Sequence, residues 1–428
     1  MTRDVPVTRD VPMARDVVLG LGSCLDYEIT WDGAVVQRLV DEYAVTPAEI
    51  GRDVVVESER DLVRSVLGFV RDGVGGERFV ASSDIVETFA ARFPRRITLG
   101  GSNVRAAVAM SRLGLRSVLH TVSVDDNVRR LLPAGVTYLC SAEHDSTDPH
   151  LIVQFPTGAS VRVGDVVLDA PHPNRLIYVN DLPNREMVLS PGLGDLLANA
   201  GIFLVSGFNT VQDAATLDAR MAFLRAQMRR LPDDATVVFE DAGYHVPALS
   251  ARVREALLDR IDVYGLNEDE MQAYVGRPVD LLAPGPLAHA LQDLRRAVPA
   301  RLLVVHTKYW ALAHGPGADA YREALEAATA MAGVRYLEGD EFTAEQFRAM
   351  PAHPRHAGGE ALAAALALRL PGEVCVVPAY ALSTPAPTTV GLGDAFVGGF
   401  VAGLVGERVG ERVAERVGAA QGSAQRVE

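Results

Sequence analysis

Gly391-Leu392-Gly393-Asp394 places two glycines directly ahead of a carboxylate, and a small, apolar stretch from Ala395 to Phe400 follows at once. Glycine admits positive φ and lets a ligand approach the backbone. The first N–H groups of a helix lack intrahelical partners and carry its positive dipole end. A helix starting here therefore suits a phosphate, with an acid–base group beside it. The alternative is Asp394 as a plain N-cap.

Ligands of open α/β sheets sit at the carboxyl ends of the strands, so polar groups that follow predicted strands carry the most weight. Gly100-Gly101-Ser102-Asn103 follows Arg96-Ile97-Thr98-Leu99 and opens an Ala-rich helix. Asn103 offers a donor and an acceptor there, or caps the helix. Ser206-Gly207-Phe208-Asn209 follows a second strand and Glu240 a third. A carboxylate at that point orients Mg²⁺ or is a solvated loop charge. Asn267-Glu268-Asp269-Glu270 reads as a capping box, and the same geometry brings Glu270 to the mouth of the sheet, where a hydrated divalent cation fits. His306-Thr307 follows a further strand; His306 either contacts a nucleotide or satisfies a buried hydrogen bond. The chain has no P-loop, and Leu19-Gly20-Leu21-Gly22 lacks the third glycine of a dinucleotide fingerprint.

The elements that must position these groups alternate. Apolar runs at 17–19, 202–205, 236–239, 261–264 and 302–305 predict buried strands, and helical periodicity appears near 103–113, 215–231, 283–297 and 359–369. Strand followed by helix, repeated, predicts an α/β fold with a mostly parallel sheet covered on both faces. Residues 151–155 and 159–163 flank Pro156-Thr157-Gly158 and predict a hairpin. With 26–98, this stretch predicts a smaller lobe. The expected division is a large lobe of 13–25, 99–148 and 183–417, a small lobe of 26–98 and 149–182, and disordered ends at 1–12 and 418–428. Residues 406–417 are a candidate charged surface helix.

Composition narrows the function. With a formal net charge of −14 and no basic stripe, sequence-independent nucleic-acid binding is disfavoured, and no nucleic-acid partner is expected. Cys24, Cys140 and Cys375 form neither a disulfide framework nor a zinc pattern by spacing. The N-terminus lacks a signal-peptide pattern and no apolar run approaches the roughly 20 residues that span a bilayer. The expectation is a soluble, cytoplasmic protein of unknown oligomeric state that contacts no membrane.

The order of these motifs resembles the ribokinase superfamily and, within it, the ADP-dependent sugar kinases (glucokinase and phosphofructokinase). The glycine pair near 100, the Asn-x-x-Glu at 267–270 and the terminal Gly-Leu-Gly-Asp carry the resemblance. Asn174-Arg175-Leu176-Ile177, Ser206-Gly207 and His306-Thr307 point to the ADP-dependent branch. The resemblance implies a ribokinase-like three-layer sandwich with an α+β lid, and a Mg²⁺-dependent transfer from ADP to a hexose or hexose phosphate. The alternatives are an ATP-dependent sugar or nucleoside kinase, or a catalytically silent sensor of the same fold. It further implies Asp394 as base and Gly391, Leu392 and Gly393 as the anion hole. Glu240 and Glu270 would serve the metal, and Asn267, His306 and Thr307 the nucleotide. Asp26, Glu77, Gly101, Ser102, Asn103 and Arg175 would serve the sugar. Three departures stand out: Val238 stands where a histidine is expected two residues before Glu240, Gly22-Ser23-Cys24-Leu25-Asp26 lacks the asparagine the family usually has before the aspartate, and Ser102 stands where a glutamine often follows the glycine pair.

Overall fold

The computed structural model describes residues 15–384 and 387–406. Branched and aliphatic runs form a nine-stranded sheet in the spatial order Val374–Pro378, Trp310–His314, Leu302–His306, Val263–Asn267, Thr236–Glu240, Ala200–Val205, Asp16–Leu19, Ser117–Thr121, Val136–Cys140. Trp310–His314 alone among these runs against the others. Its reversal follows from a tight turn: the Thr307 hydroxyl accepts the N–H groups of Tyr309 and Trp310, as short hydroxyl side chains do in turns. Every residue of Ala200–Val205 is buried, as expected of a strand covered on both faces.

Helices cover each face. Leu217, Leu224, Val253, Leu291 and Leu366 pack on one side. On the other lie Val104 and Ala107 of the Ser102–Ser111 helix, Ala324 and Ala328 of the Arg322–Glu338 helix, and Phe396 and Phe400 of helical residues 392–406. This is the three-layer α/β sandwich the alternation predicts. The Arg322–Glu338 helix is absent from the periodicity reading.

Glycines set how closely the helix at 392–406 can pack. A Cβ on Gly398 would lie 2.8 Å from the Ala106 carbonyl oxygen. One on Gly399 would lie 2.6 Å from the Ala327 carbonyl oxygen and 2.7 Å from the Ala328 Cα. Backbone therefore touches backbone on both sides, and this seam fixes the height at which Asp394 enters the site.

A second sheet has five strands in the order Gly76–Phe79, Asn174–Val179, His150–Phe155, Cys24–Thr30, Arg95–Gly100. Side chains alternate across it. Tyr27, Ile29, Leu151, Val153, Leu176 and Tyr178 bury against the Gly33–Glu42, Glu59–Asp72 and Ser83–Ala90 helices. The opposite face carries Asp26, Glu28, Thr98, His150, Gln154, Arg175 and Glu77; by register Asp26, Thr98 and His150 form one row, Glu28 and Glu77 the next, and Gln154 and Arg175 a third.

Three expectations are corrected. Residues 151–163 do not form a hairpin: His150–Phe155 pairs with Asn174–Val179 and Cys24–Thr30, while Ser160–Val163 pairs with Val166–Asp169. Gly164, with a φ of 57°, makes that tighter turn, which Pro156-Thr157-Gly158 does not. Lobe boundaries set at 25/26 and 98/99 fall inside Cys24–Thr30 and Arg95–Gly100, which pair continuously from Cys24–Gly100 to Ile29–Arg95. The strand expected at 261–264 runs Val263–Asn267, because the Asp262 side chain instead accepts the Val237 N–H at 2.9 Å. The expected disordered ends and nearly all of the 406–417 helix lie outside the described residues. Among the described residues, no helix is long and apolar enough to cross a membrane.

Replacing Gly399 with alanine forces a methyl into backbone atoms. The expected loss is about 1–3 kcal/mol of unfolding free energy, read as a lower urea midpoint at unchanged slope. A midpoint equal to the parent's would mean that the helices are not in this contact.

Candidate active site

Gly391 has a φ of 72°, and its carbonyl accepts the Ala395 N–H at 3.0 Å, so it is the N-cap of the helix that begins at Leu392. Asp394 is thus the third helical residue rather than the cap that the alternative reading made it. The N–H groups of Leu392, Gly393 and Asp394 belong to the unpartnered first turn. All four residues of the turn are partly exposed, so the turn faces accessible space. A Cβ on Gly391 would come within 2.7 Å of Arg105 Nη1 and 3.1 Å of Asp394 Oδ2. Only glycine combines that φ with that approach.

Arg105 enters from the Ser102–Ser111 helix and is 8% exposed. Its Nη2 donates to Asp26 Oδ2 at 2.5 Å, and its Nε lies 3.7 Å from Asp394 Oδ2. One buried guanidinium therefore joins a carboxylate of the small sheet to the carboxylate of the glycine turn. Burial works against its charge, and Asp26 and then Asp394 more than restore it, holding the group above the ordinary arginine range. Behind it, Arg335 donates to Asp340 Oδ1 at 2.8 Å and to the Val390 carbonyl, which steadies the residue before the turn. Arg96 of the small sheet reaches the same Asp340 at 3.0 Å.

A second carboxylate group borders the turn. Glu240 ends its strand, and its Oε1 lies 2.9 Å from His306 Nε2. The His306 ring stacks on Phe396, two residues past Asp394, with centroids 4.6 Å apart. His306 thus supplies to Glu240 the imidazole that Val238 does not; Val238 is packed into the core. Asn267 and Glu270 form the anticipated capping box: Glu270 Oε2 accepts the Asn267 N–H at 2.7 Å, and Asn267 Oδ1 accepts from Asp269 and Glu270. Burial first, then the charges of Glu240 and Asp241, push the Glu270 carboxyl up to about 7 against the pull of that N–H. Burial also raises Glu240, helped by Asp394. These carboxylates feel one another across one space. Glu240 and Glu270 each retain an oxygen beyond the bonds described, so the donor set is all oxygen and negatively charged. It fits a hard cation such as Mg²⁺.

The remaining predicted residues divide. Asp26 is buried on Arg105, and Gly101, with a φ of 93°, starts the helix that carries Arg105. Ser102 is the first residue of that helix and is partly exposed. Asn103 is 1% exposed, and its amide donates to the His120 carbonyl at 3.1 Å, so its N–H₂ is spent inside the fold. Thr307 spends its hydroxyl in the turn described above. Arg175 is exposed at the level of Gln154 and Thr30, four residues and so ~13 Å along the strands from the Asp26 row. Glu77 lies on the polar face, and its Oε1 is 2.8 Å from Nε2 of His245, which belongs to the large lobe. Phe79 sits edge-on to that imidazole at 4.8 Å.

Sequence reasoning missed Arg105, Arg335 and His245. Arg105 left a trace: it is the one charged residue in a run of small residues following the glycine pair. The other two lie far in sequence from any motif.

Two outcomes follow from this geometry. Arg105→Leu leaves Asp26 and Asp394 without their shared cation, and unfolding free energy should fall by about 3–5 kcal/mol in urea titrations. A loss near zero would mean the pair is not held as described. Glu270 binds its proton more tightly folded than unfolded, so it lowers stability progressively as pH rises from about 4.5 to about 7. In metal-free protein, Glu270→Gln should therefore gain stability relative to the parent across that window, level off above it, and match the parent below it. A constant difference at all pH values would contradict the raised carboxyl.

Residues 15–285 match the ADP-specific phosphofructokinase/glucokinase conserved region. An ADP-dependent glucokinase of Bos taurus is 23% identical over 268 residues, 59% of this chain and 51% of that protein. The chain thus spans about half the length of this curated relative. The fold is similar to the crystal structure of a hypothetical ADP-dependent phosphofructokinase from Pyrococcus horikoshii OT3, with a TM-score of 0.76 and 18% identity over 92% of this chain and 99% of that one. It is also similar to an ADP-dependent kinase in complex with fructose-6-phosphate and ADPβS, with a TM-score of 0.69 and 14% identity over 91% and 93% of the two chains. The sequence match covers well over half of this chain, and the chain belongs to the ADP-specific phosphofructokinase/glucokinase family.

Proposed function

We propose that this chain is a kinase that transfers the β-phosphoryl group of ADP to a hydroxyl of a hexose or hexose phosphate and releases AMP. The observation that carries this reading is the placement of Asp394. Its carboxylate stands in the open first turn of a helix, beside N–H groups that have no partner among the described residues, and 3.7 Å from a guanidinium that also holds Asp26. Family membership and the ligands of the ADPβS complex support the same chemistry.

In this reading Asp394 accepts the proton of the attacking sugar hydroxyl. The sugar oxygen forms the new bond to phosphorus as the bond to the AMP oxygen breaks. Backbone N–H groups over Gly391–Gly393 receive the migrating phosphoryl oxygens, in place before charge develops. Arg105 adds a buried positive charge beside them and holds Asp394 in place. Glu240 and Glu270, with Asn267, hold Mg²⁺, which when bound neutralises phosphate oxygens. His306 orients Glu240 and, with Thr307, borders the nucleotide. Asp26, Gly101 and Ser102 face the sugar, with Asn103 supporting them from inside. Glu77 favours a neutral hexose over a hexose phosphate through charge repulsion. Arg175 is too far along its strand to reach the reacting hydroxyl and serves the outer end of the small-sheet face. The setting is cytoplasmic.

Purified protein with Mg²⁺, ADP and a panel of hexoses and hexose phosphates should release AMP. Turnover with ATP alone, or with neither donor, would refute the reading. Asp394→Asn should lower kcat by about 10²–10⁴-fold with nucleotide affinity retained by calorimetry. A variant with the parent's kcat would remove Asp394 from the base role.

A further inference from the structure

The small sheet brings together three residues that the kinase reading does not combine. Cys24 Sγ lies 3.8 Å from Asp26 Oδ1, and His150 Nδ1 lies 3.8 Å from the same oxygen. All three donor atoms fall within 4.8 Å of one another. Strand pairing sets this up, because Asp26 sits opposite His150 in register and Cys24 precedes it by one pleat. A zinc ion with bonds of roughly 2.0–2.3 Å to sulfur, nitrogen and oxygen needs donors about 3.4–3.6 Å apart. Small side-chain rotations reach that spacing.

The surroundings are arranged for ligation. His150 Nε2 lies 2.8 Å from Asp181 Oδ2, which leaves Nδ1 aimed at the cluster. A carboxylate behind the second nitrogen is the usual support of a metal-binding histidine. Asp181 is itself held by the N–H and amide of Asn184, and that amide also clamps the Ser23 carbonyl next to Cys24. Arg105 occupies Asp26 Oδ2 and leaves Oδ1 to the cluster. Gly100 keeps the space open: a Cβ there would lie 2.4 Å from Cys24 Sγ and 2.8 Å from both Asp26 oxygens. The donors differ in kind from the all-oxygen group at Glu240 and Glu270. A thiolate and an imidazole select a softer ion than Mg²⁺.

We propose that Cys24, Asp26 and His150 bind a thiophilic divalent transition metal of the zinc class, with Asp181 as the support of His150 and the fourth position open. The metal site stands independently of the kinase reading. Only its consequence rests on that reading: Asp26 cannot hold a metal and a sugar at once, so the two compete.

The test uses the full-length protein titrated with Co²⁺ and with Zn²⁺. The expected result is one equivalent bound per chain, with a sulfur-to-cobalt charge-transfer band that excess Mg²⁺ leaves in place. Cys24→Ser should abolish the band, and Asp181→Asn, which can still cap its helix, should weaken binding about 10–100-fold. Absence of the band in the parent protein would overturn the site, as would a band that persists unchanged in Cys24→Ser and so arises at Cys140 or Cys375. Sugar should displace cobalt in proportion to its occupancy. Cobalt that stays bound at saturating sugar would overturn the competition, and AMP release measured separately reports on the kinase reading.

Discussion

A single buried guanidinium organises this molecule. Arg105 leaves water only because Asp26 and Asp394 flank it, and Asp26 tolerates burial because the guanidinium is there. Such a group contributes less to net stability than its Coulomb energy suggests, since desolvation offsets most of the gain. What it supplies is a fixed spatial relation. Asp26 belongs to the five-stranded sheet and Asp394 to a helix on the nine-stranded one, so the charge ties two separately built cores at the point where their polar faces meet. One layer behind, the arrangement is inverted: Asp340 lies between Arg335 and Arg96, the latter arriving from the small sheet.

The capping box at 267–270 and the glycine turn at 391–394 were legible in the sequence because each is local. Spacing within four residues dictates the hydrogen bonds, and the structure reproduces them. The large sheet was legible for a related reason: buried strands are continuous apolar runs, and their alternation with helices has few solutions. The small sheet was not. Its strands pair across long separations, with Asp26 beside His150 and Leu176 beside Gly76, and no local pattern encodes those partners. The hairpin expected at 151–163 fails for this reason, since proximity in sequence does not dictate pairing.

The same distinction separates the site residues. Glu240 was placed from its position at a strand end, but its partner His306 comes from a strand two positions away in the sheet. The departure at Val238 therefore looks severe in sequence and mild in space. Conversely, Asn103 and Thr307 have side chains suited to ligands, yet both are consumed by the fold, in a helix anchor and a turn. Residue type sets what a group is able to do; only its satisfied or unsatisfied bonds decide whether it is free to do it.

The glycine seam of the helix at 392–406 and the strand that bears Glu77 stand at opposite extremes of mutational freedom. Along the seam, neighbouring backbones leave room for hydrogen alone, so the turn at 391–394 can scarcely drift. Gly76–Phe79 is an outermost strand, paired on one side only, and Glu77 projects from it toward the other lobe. Divergence among descendants of such a scaffold is thereby channelled: side chains at the periphery of the small sheet can be exchanged while the glycine turn is inherited intact.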